Sequence, residues 1–296
     1  MARVWCPSTP MTDTSKLATT GLEAAIMKSS DHAVLAHHQA PATMWGRSGK
    51  HYDDVSYAIS DALAHAAQRL DARPGERILD VATGTGWSAR NVARTGAAVT
   101  GVDISDELLA AARDLSGHLT PPIQYRLGDA ERLPFDDGAF DGIISTFGVM
   151  FAVDQAQAAA ELGRVCRSSG RLALATWTPT GSVAEFFAIV ARHSGAPPPP
   201  SSPLTWGDPS QVEKLLGKAF DLKFEIGVNN AYHGSAEDLW DLYSRSFGPL
   251  RQLAEALPAD RVEQLKRDVD AFHRQYTVPA GLHVKREYLL TIGRRR

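Results

Sequence analysis

The chain has 296 residues, 44% of them hydrophobic and 22% charged, with a formal net charge of −3. This composition excludes a disordered chain and offers no basic surface for nucleic acid, and two cysteines at this length exclude a disulfide framework. The length predicts one large domain, or a domain with an added subdomain.

Residues 1–40 carry many Thr, Ser and Pro and are expected to be loosely ordered, with Met11 and Met27 as alternative starts. They lack the apolar core of a signal peptide. No apolar run reaches the ~18 residues of a membrane span, so a cytoplasmic chain is expected. His37 and His38 are adjacent, and helix neighbours do not face each other. No Cys/His spacing resembles a metal site, and none is expected. Residues 41–73 read as an N-terminal helical flap. Met44-Trp45-Gly46-Arg47 and His51-Tyr52-Asp53 precede a long amphipathic helix from Val55 to Arg69, which Pro74-Gly75 stops.

The most informative stretch follows. Arg77–Val81 is an apolar strand that contains Asp80 near its end. A small-residue loop comes next, Ala82-Thr83-Gly84-Thr85-Gly86, and then a helix. Small residues let backbone approach a ligand, and the helix start offers free N–H groups. Gly84 to Ala89 also fits the dinucleotide fingerprint. Asp80 argues against that reading, because a carboxylate beside a pyrophosphate repels it and beside a sulfonium or ammonium attracts it. S-adenosylmethionine carries both cations and no phosphate. A bare strand–turn–helix with no ligand is the third reading.

Ala98–Asp103 is a second buried strand ending in an acid. Asp103 can accept both ribose hydroxyls, as in NAD sites, or it can cap the next helix, although Ser105 and Asp106 are better placed to do so. A third strand, Ile123–Leu127, ends at Gly128-Asp129-Ala130, where Asp129 can accept an adenine amino group and the Ala130 N–H can donate to a ring nitrogen. A fourth strand runs over Gly142–Ser145 and a fifth over Arg171–Thr176. Cys166 is placed in the helical run Gln155–Arg167 as a small buried hydrophobe. Alternating strands and helices imply a parallel sheet covered on both faces.

The words LDVATGTG, VTGVDIS, GDAERLPFDDGAFD and RVCRSSGRLALATW occur in that order over about Gly75 to Trp177. Through them the chain resembles the class I S-adenosylmethionine-dependent methyltransferases, nearest the ubiquinone/menaquinone C-methyltransferase-like small-molecule branch. The resemblance implies a doubly wound, Rossmann-like α/β fold with a seven-stranded sheet in the order 3-2-1-4-5-7-6, its last strand antiparallel. It implies that Asp80 orients the methionine end of S-adenosylmethionine. Ala82, Thr83, Gly84 and Gly86 would form the loop wall, Asp103 would hold the ribose with Ile104 against the adenine, and Asp129 and Ala130 would read the adenine edge. It also brings the flap over the methionine end, so that Arg47 could meet the carboxylate and Tyr52 the sulfonium. Trp45 and Tyr52 as plain core packing is the competing reading. One departure stands out: Ala82 replaces the family's first loop glycine, which is tolerable only at negative φ.

The core spans 74–228, with Phe220–Val228 as a strand, and Arg286–Gly293 is the last strand within the closing segment 286–296. Between them, residues 229–285 form an insert with two helical patterns, Ala236–Phe247 and Ala259–Tyr276. Pro197–Pro200 belongs to a stiff connector ahead of Phe220. The insert reads as a lid and substrate wall, or else as a packing appendage or homodimer surface. Its Trp240, Tyr243, Phe247 and Phe272 fit either an apolar acceptor pocket or simple helix core. His51 and His233 are the candidate bases, against the plainer reading of surface histidines. The expected activity is methyl transfer to a small lipophilic or aromatic acceptor at O, N or C. An NAD-dependent oxidoreductase and a non-catalytic S-adenosylmethionine-binding module are the alternatives.

Overall fold

The computed structural model describes residues 34–296. Cys6, Met11, Met27 and most of the segment expected to be loosely ordered lie outside these. Residues 34–40 do not fit that expectation. Ala36–His38 is a 3-10 helix, and a helix over Gln39–Gly46 follows it. Contacts to Asp129 and Glu131, distant in sequence, hold this stretch in place.

The strands are β1 Arg77–Val81, β2 Ala98–Asp103, β3 Gln124–Leu127, β4 Phe140–Thr146, β5 Cys166–Trp177, β6 Phe220–His233, β7 Thr277–Val278 and β8 Gly281–Arg295. They pair in the order β3-β2-β1-β4-β5-β8-β6, with the two-residue β7 added to β8. This is the expected order, with one short strand more. β1 to β5 are parallel, while β8 runs antiparallel to β5 and β6. β1 is buried from Ile78 to Val81 because helices cover both faces of the sheet. Ile143, Ile144, Leu172 and Leu174 continue the same core. The chain leaves β1 toward β2 and later returns to β4 on its other side. The loop after β1 therefore opens at the switch point, where a crevice forms at the strands' carboxyl ends.

Several boundaries differ from the sequence reading. The long helix expected over Val55–Arg69 is two helices, Tyr52–Tyr57 and Ser60–Leu70. Ile59 leaves helical geometry at φ −124, and the second helix then lays Ala62, Leu63, Ala66 and Leu70 into the core. Cys166 begins β5 rather than ending a helix, and a register shift separates its pairing from that of Arg171. β6 and β8 run further than expected: Asn229–His233 pairs with Leu282–Arg286. These residues are largely polar, so their strand character comes from pairing and not from hydrophobic alternation. The insert is accordingly shorter and holds three helices, Ala236–Ser246, Gly248–Ala256 and Ala259–Arg274. With the helix Ser182–Ser194 they form a second core around Phe186, Leu239, Leu250, Leu265 and Val269. Among the described residues no helix is long and apolar enough to cross a membrane.

Candidate functional site

Two cavities meet at the carboxyl ends of β1, β2 and β4. The first is lined by the β1 loop (Ala82, Thr83, Gly84), by Asp103 and Ile104, by Gly128, Asp129 and Ala130, and by His38, Tyr52, Trp87 and Phe147. The second is aromatic, with Trp177, Phe186, Phe187, Tyr243, Phe247 and Phe272 in its wall beside His273 and Arg286. Trp45, Tyr52, Ile59, Phe147 and Phe151 line both and form the passage between them.

Asp80 lies beneath the loop. It is 1% exposed, and its Oδ2 accepts the Thr83 hydroxyl at 2.6 Å. Its Oδ1 is buried with no hydrogen-bond partner. Burial pushes the Asp80 carboxyl up to about 7, against the Thr83 hydroxyl and the nearby Ala89 N–H. A buried carboxylate with an unmet oxygen is a receptor for a cation. Asp103 ties β2 to the loop: its Oδ2 accepts the Gly84 N–H at 2.8 Å and its Oδ1 the Ser105 N–H at 3.0 Å. Burial raises its carboxyl to about 6, despite those N–H groups. The cap of the following helix is Ser105, which accepts from the Leu108 N–H, so Asp103 is not used as a cap.

The loop backbone departs from expectation at Ala82. Its φ is +54, not negative. An L-residue in the left-handed region costs about 1–2 kcal/mol. Gly148 packs so closely on Ala82 that a side chain at 148 would lie 2.5 Å from the Ala82 methyl. Gly86, at φ +80, caps the helix Trp87–Ala93, and a side chain there would collide with the Tyr125 hydroxyl. Gly86 supports the loop from behind and is not part of the cavity wall.

Asp129 is fully buried and already engaged. Its Oδ2 accepts the Leu35 N–H at 3.1 Å and His38 Nδ1 at 2.7 Å, and its Oδ1 accepts the Glu131 N–H. Burial alone would raise this carboxyl, but the His38 hydrogen bond and the two N–H groups outweigh it and lower it. His38 is raised for the reciprocal reason, its burial being overcome by Asp129 and Glu131. His37 also reaches Glu131, at 2.8 Å. The two histidines thus converge despite being sequence neighbours. His37, His38 and Glu131 are close enough together to hold a cation, although Asp129 and the Asp154 N–H already compete for their ligand atoms. Sequence spacing could not show this cluster, because 94 residues separate His37 from Glu131.

The remaining candidates lie elsewhere. Arg47 is exposed and pairs with Glu255 at 2.7 Å, with its carbonyl oxygen held by Arg251. His51 is exposed, 3.9 Å from Asp54. His233 is partly buried and pushed down to about 4, by burial first and by Arg286 second. None of the three lines either cavity. Tyr52 lines both, and burial, then the Asp103 charge, push its phenol upward. Next to it, Asp53 accepts from Thr85 and Arg90, which fastens the flap to the loop. Of the insert aromatics, Trp240 is packed in the second core, whereas Tyr243, Phe247 and Phe272 reach the cavity. Sequence reasoning missed Phe147, which lies beyond β4 at φ +58 with its ring stacked 3.9 Å from Trp177. Its only signal was its place at the end of a central parallel strand.

A family described as "Methyltransferase domain" matches residues 79–174. A demethylmenaquinone methyltransferase of Beutenbergia cavernae is 37% identical over 197 residues, covering 65% of this chain and 80% of the relative. The chain is a class I S-adenosylmethionine-dependent methyltransferase. An uncharacterised protein of Mycobacterium tuberculosis (strain H37Rv) is 34% identical over 226 residues, 74% of this chain and 80% of its own. The fold matches that of the YcgJ protein of Bacillus subtilis with a TM-score of 0.57 at 19% identity, over 80% of this chain and 99% of that one. S-adenosylmethionine is accordingly the methyl donor of this methyltransferase, and the first cavity presents two acids, Asp103 and Asp129, to such a molecule, with Asp80 buried behind its wall.

Proposed function

We propose that this methyltransferase transfers the donor's methyl group to a small aromatic or lipophilic acceptor held in the aromatic cavity. The observation that carries the reading is the junction itself. A cavity carrying Asp103, Asp129 and the β1 loop opens through Trp45, Tyr52 and Phe151 into one walled by rings. Bound there, S-adenosylmethionine supplies a methyl group already activated by its sulfonium charge.

The protein's share of the work is alignment and exclusion of water. Asp80, bonded to Thr83 behind the loop, balances positive charge at the methionine end. Thr83, Ala82 and Gly84 form the wall there, with Gly86 behind them, and Tyr52 closes the side. Asp103 holds the ribose, with Ile104 against the base. Asp129 and Ala130 meet the adenine edge once residues 34–38 share or yield the Asp129 oxygen they now occupy. The flap and the insert act as a lid: Arg47–Glu255 and Arg251 join them, and Trp45 stands 5.6 Å from Phe247. Neither His51 nor His233 has a role in this reading, since neither reaches the passage.

The test is a panel of phenols, quinols, amines and carboxylic acids with methyl-labelled donor. Labelled product from ring-bearing acceptors, reduced in Phe247→Ala, supports the reading. A panel in which only small, strongly polar acceptors react would overturn it. Donor binding with no transfer to anything would revive the non-catalytic module.

A further inference from the structure

Among the described residues Arg286 is a buried cation with no anion beside it. It lies on β8, is 6% exposed, and lines the aromatic cavity but not the donor cavity. Its side-chain hydrogen bond goes to Tyr243, whose hydroxyl accepts from the guanidinium at 2.6 Å, and its charge lies 5.9 Å from that ring. Among the described residues no carboxylate pairs with it. A guanidinium has five N–H donors and cannot shed its charge inside a protein. Leaving such a group buried and unpaired is costly unless something else is bound there.

The surroundings do not compensate. His273, in the same wall, is pushed down to about 4 by burial and by Arg286, so it is neutral at physiological pH. Its Nδ1 is 2.8 Å from the Val269 carbonyl oxygen, which places the ring proton on that nitrogen. His233 is neutral for similar reasons. The Tyr243 hydroxyl, having accepted from Arg286, keeps its own proton to donate. In this wall of an otherwise apolar cavity the guanidinium and the Tyr243 hydroxyl are the donors and the guanidinium is the charge, while neutral His273 adds no negative charge.

We propose that Arg286 and the Tyr243 hydroxyl bind an oxyanion of the methyl acceptor, which makes the acceptor an apolar or aromatic acid, either a carboxylate or an acidic phenol. This rests on the aromatic cavity being the acceptor site. Because Arg286 is absent from the passage, the oxyanion is an anchor, and the methylated atom lies at the other end of the molecule, toward Trp45, Tyr52 and Phe151. A neutral ring would fill the cavity without satisfying the guanidinium. An amine would bring a second cation to it.

The test uses the full chain saturated with S-adenosylhomocysteine and three naphthalene probes: the isosteres 2-naphthoate and 2-naphthamide and, above its pKa, 4-nitro-1-naphthol. Titration calorimetry should show naphthoate bound about tenfold or more tightly than the amide, the scale of a charge-assisted pair. Arg286→Met should erase that preference to within about twofold while keeping amide binding, and Arg286→Lys should retain part of it. If nitronaphtholate matches naphthoate, any oxyanion serves; if it does not, the carboxylate is the ligand. Equal binding of acid and amide, a preference that survives in Arg286→Met, or no binding of any probe would overturn the inference. If Arg286→Met does not fold, the acid-to-amide ratio in the parent and in Arg286→Lys decides. Phe247→Ala separates the two readings. If it weakens all probes while acid and amide bind alike, only the oxyanion site fails. If it changes nothing, the cavity is not the acceptor site.

Discussion

Replacing Asp80 with Asn should make the protein more stable and a poorer binder of its donor. Asp80 is 1% exposed, one of its oxygens is unmet, and burial raises its carboxyl from 3.8 to about 7. A raised carboxyl binds its proton more tightly folded than unfolded. At pH 8 its ionised form therefore works against folding, and stability is regained as pH falls from about 7 toward 3.8. At ~1.4 kcal/mol per unit this amounts to a ceiling of about 4 kcal/mol. The Asn oxygen can still accept from Thr83, and relaxation around the charge reduces the effect, so Asp80→Asn should gain about 1–3 kcal/mol at pH 8. Near pH 4 parent and mutant should be about equally stable, since the parent carboxyl is then protonated too. Asp103, raised to about 6, keeps some of the same slope in both proteins. Urea unfolding without donor at pH 5 and pH 8 measures the stability half. Calorimetry with S-adenosylmethionine measures the other half, with an expected affinity loss of about tenfold or more as the charge partner disappears. A mutant no more stable than the parent at pH 8, or one that binds the donor equally well, would refute the argument.

Ala82→Gly should stabilise the fold by about 0.5–1 kcal/mol, because φ +54 suits glycine and the gain exceeds its entropy cost; a lower urea midpoint would mean that the Ala82 methyl contributes packing that outweighs the strain. Asp103→Ala should weaken donor binding by ~1.5–3 kcal/mol through lost charge-assisted hydrogen bonds, and an unchanged dissociation constant in a folded mutant removes Asp103 from the site. Docking of residues 34–38 should depend on pH in both directions. His38 is raised from 6.5, so its contribution is complete below that value and disappears as pH climbs through the raised one. Asp129 is lowered from 3.8, so its contribution is complete above that value and disappears as pH falls through the lowered one. Hydrogen exchange at the Leu35 amide, corrected for its intrinsic rate, should show most protection between these limits, and in His38→Gln the loss at high pH should vanish while the loss in acid remains. A flat profile in the parent would contradict the coupling of this docking to His38 and Asp129.

Much of the fold was legible because it rests on local chemistry. Apolar runs such as Ile78-Leu79 and Ile143-Ile144 have to be buried on both faces, and the small residues after β1 permit only a tight loop before a helix. Ser105, Asp154 and Ser235 mark helix starts by their own hydrogen bonds. The acids at the strand ends were legible for the same reason, since a parallel sheet delivers each strand's end to one edge. What the sequence left open depends on partners far along the chain. The polar arm Asn229–His233 is a strand only because Leu282–Arg286 pairs with it. Asp129 is held by His38 and Leu35, more than 90 residues away. Ala82 takes a left-handed conformation against Gly148 across the sheet. Arg286 read simply as the first residue of the last strand. Only the closing of the insert over β8 buries it among rings and leaves its charge unmatched, because burial and counter-charge belong to the assembled chain and not to any segment of it.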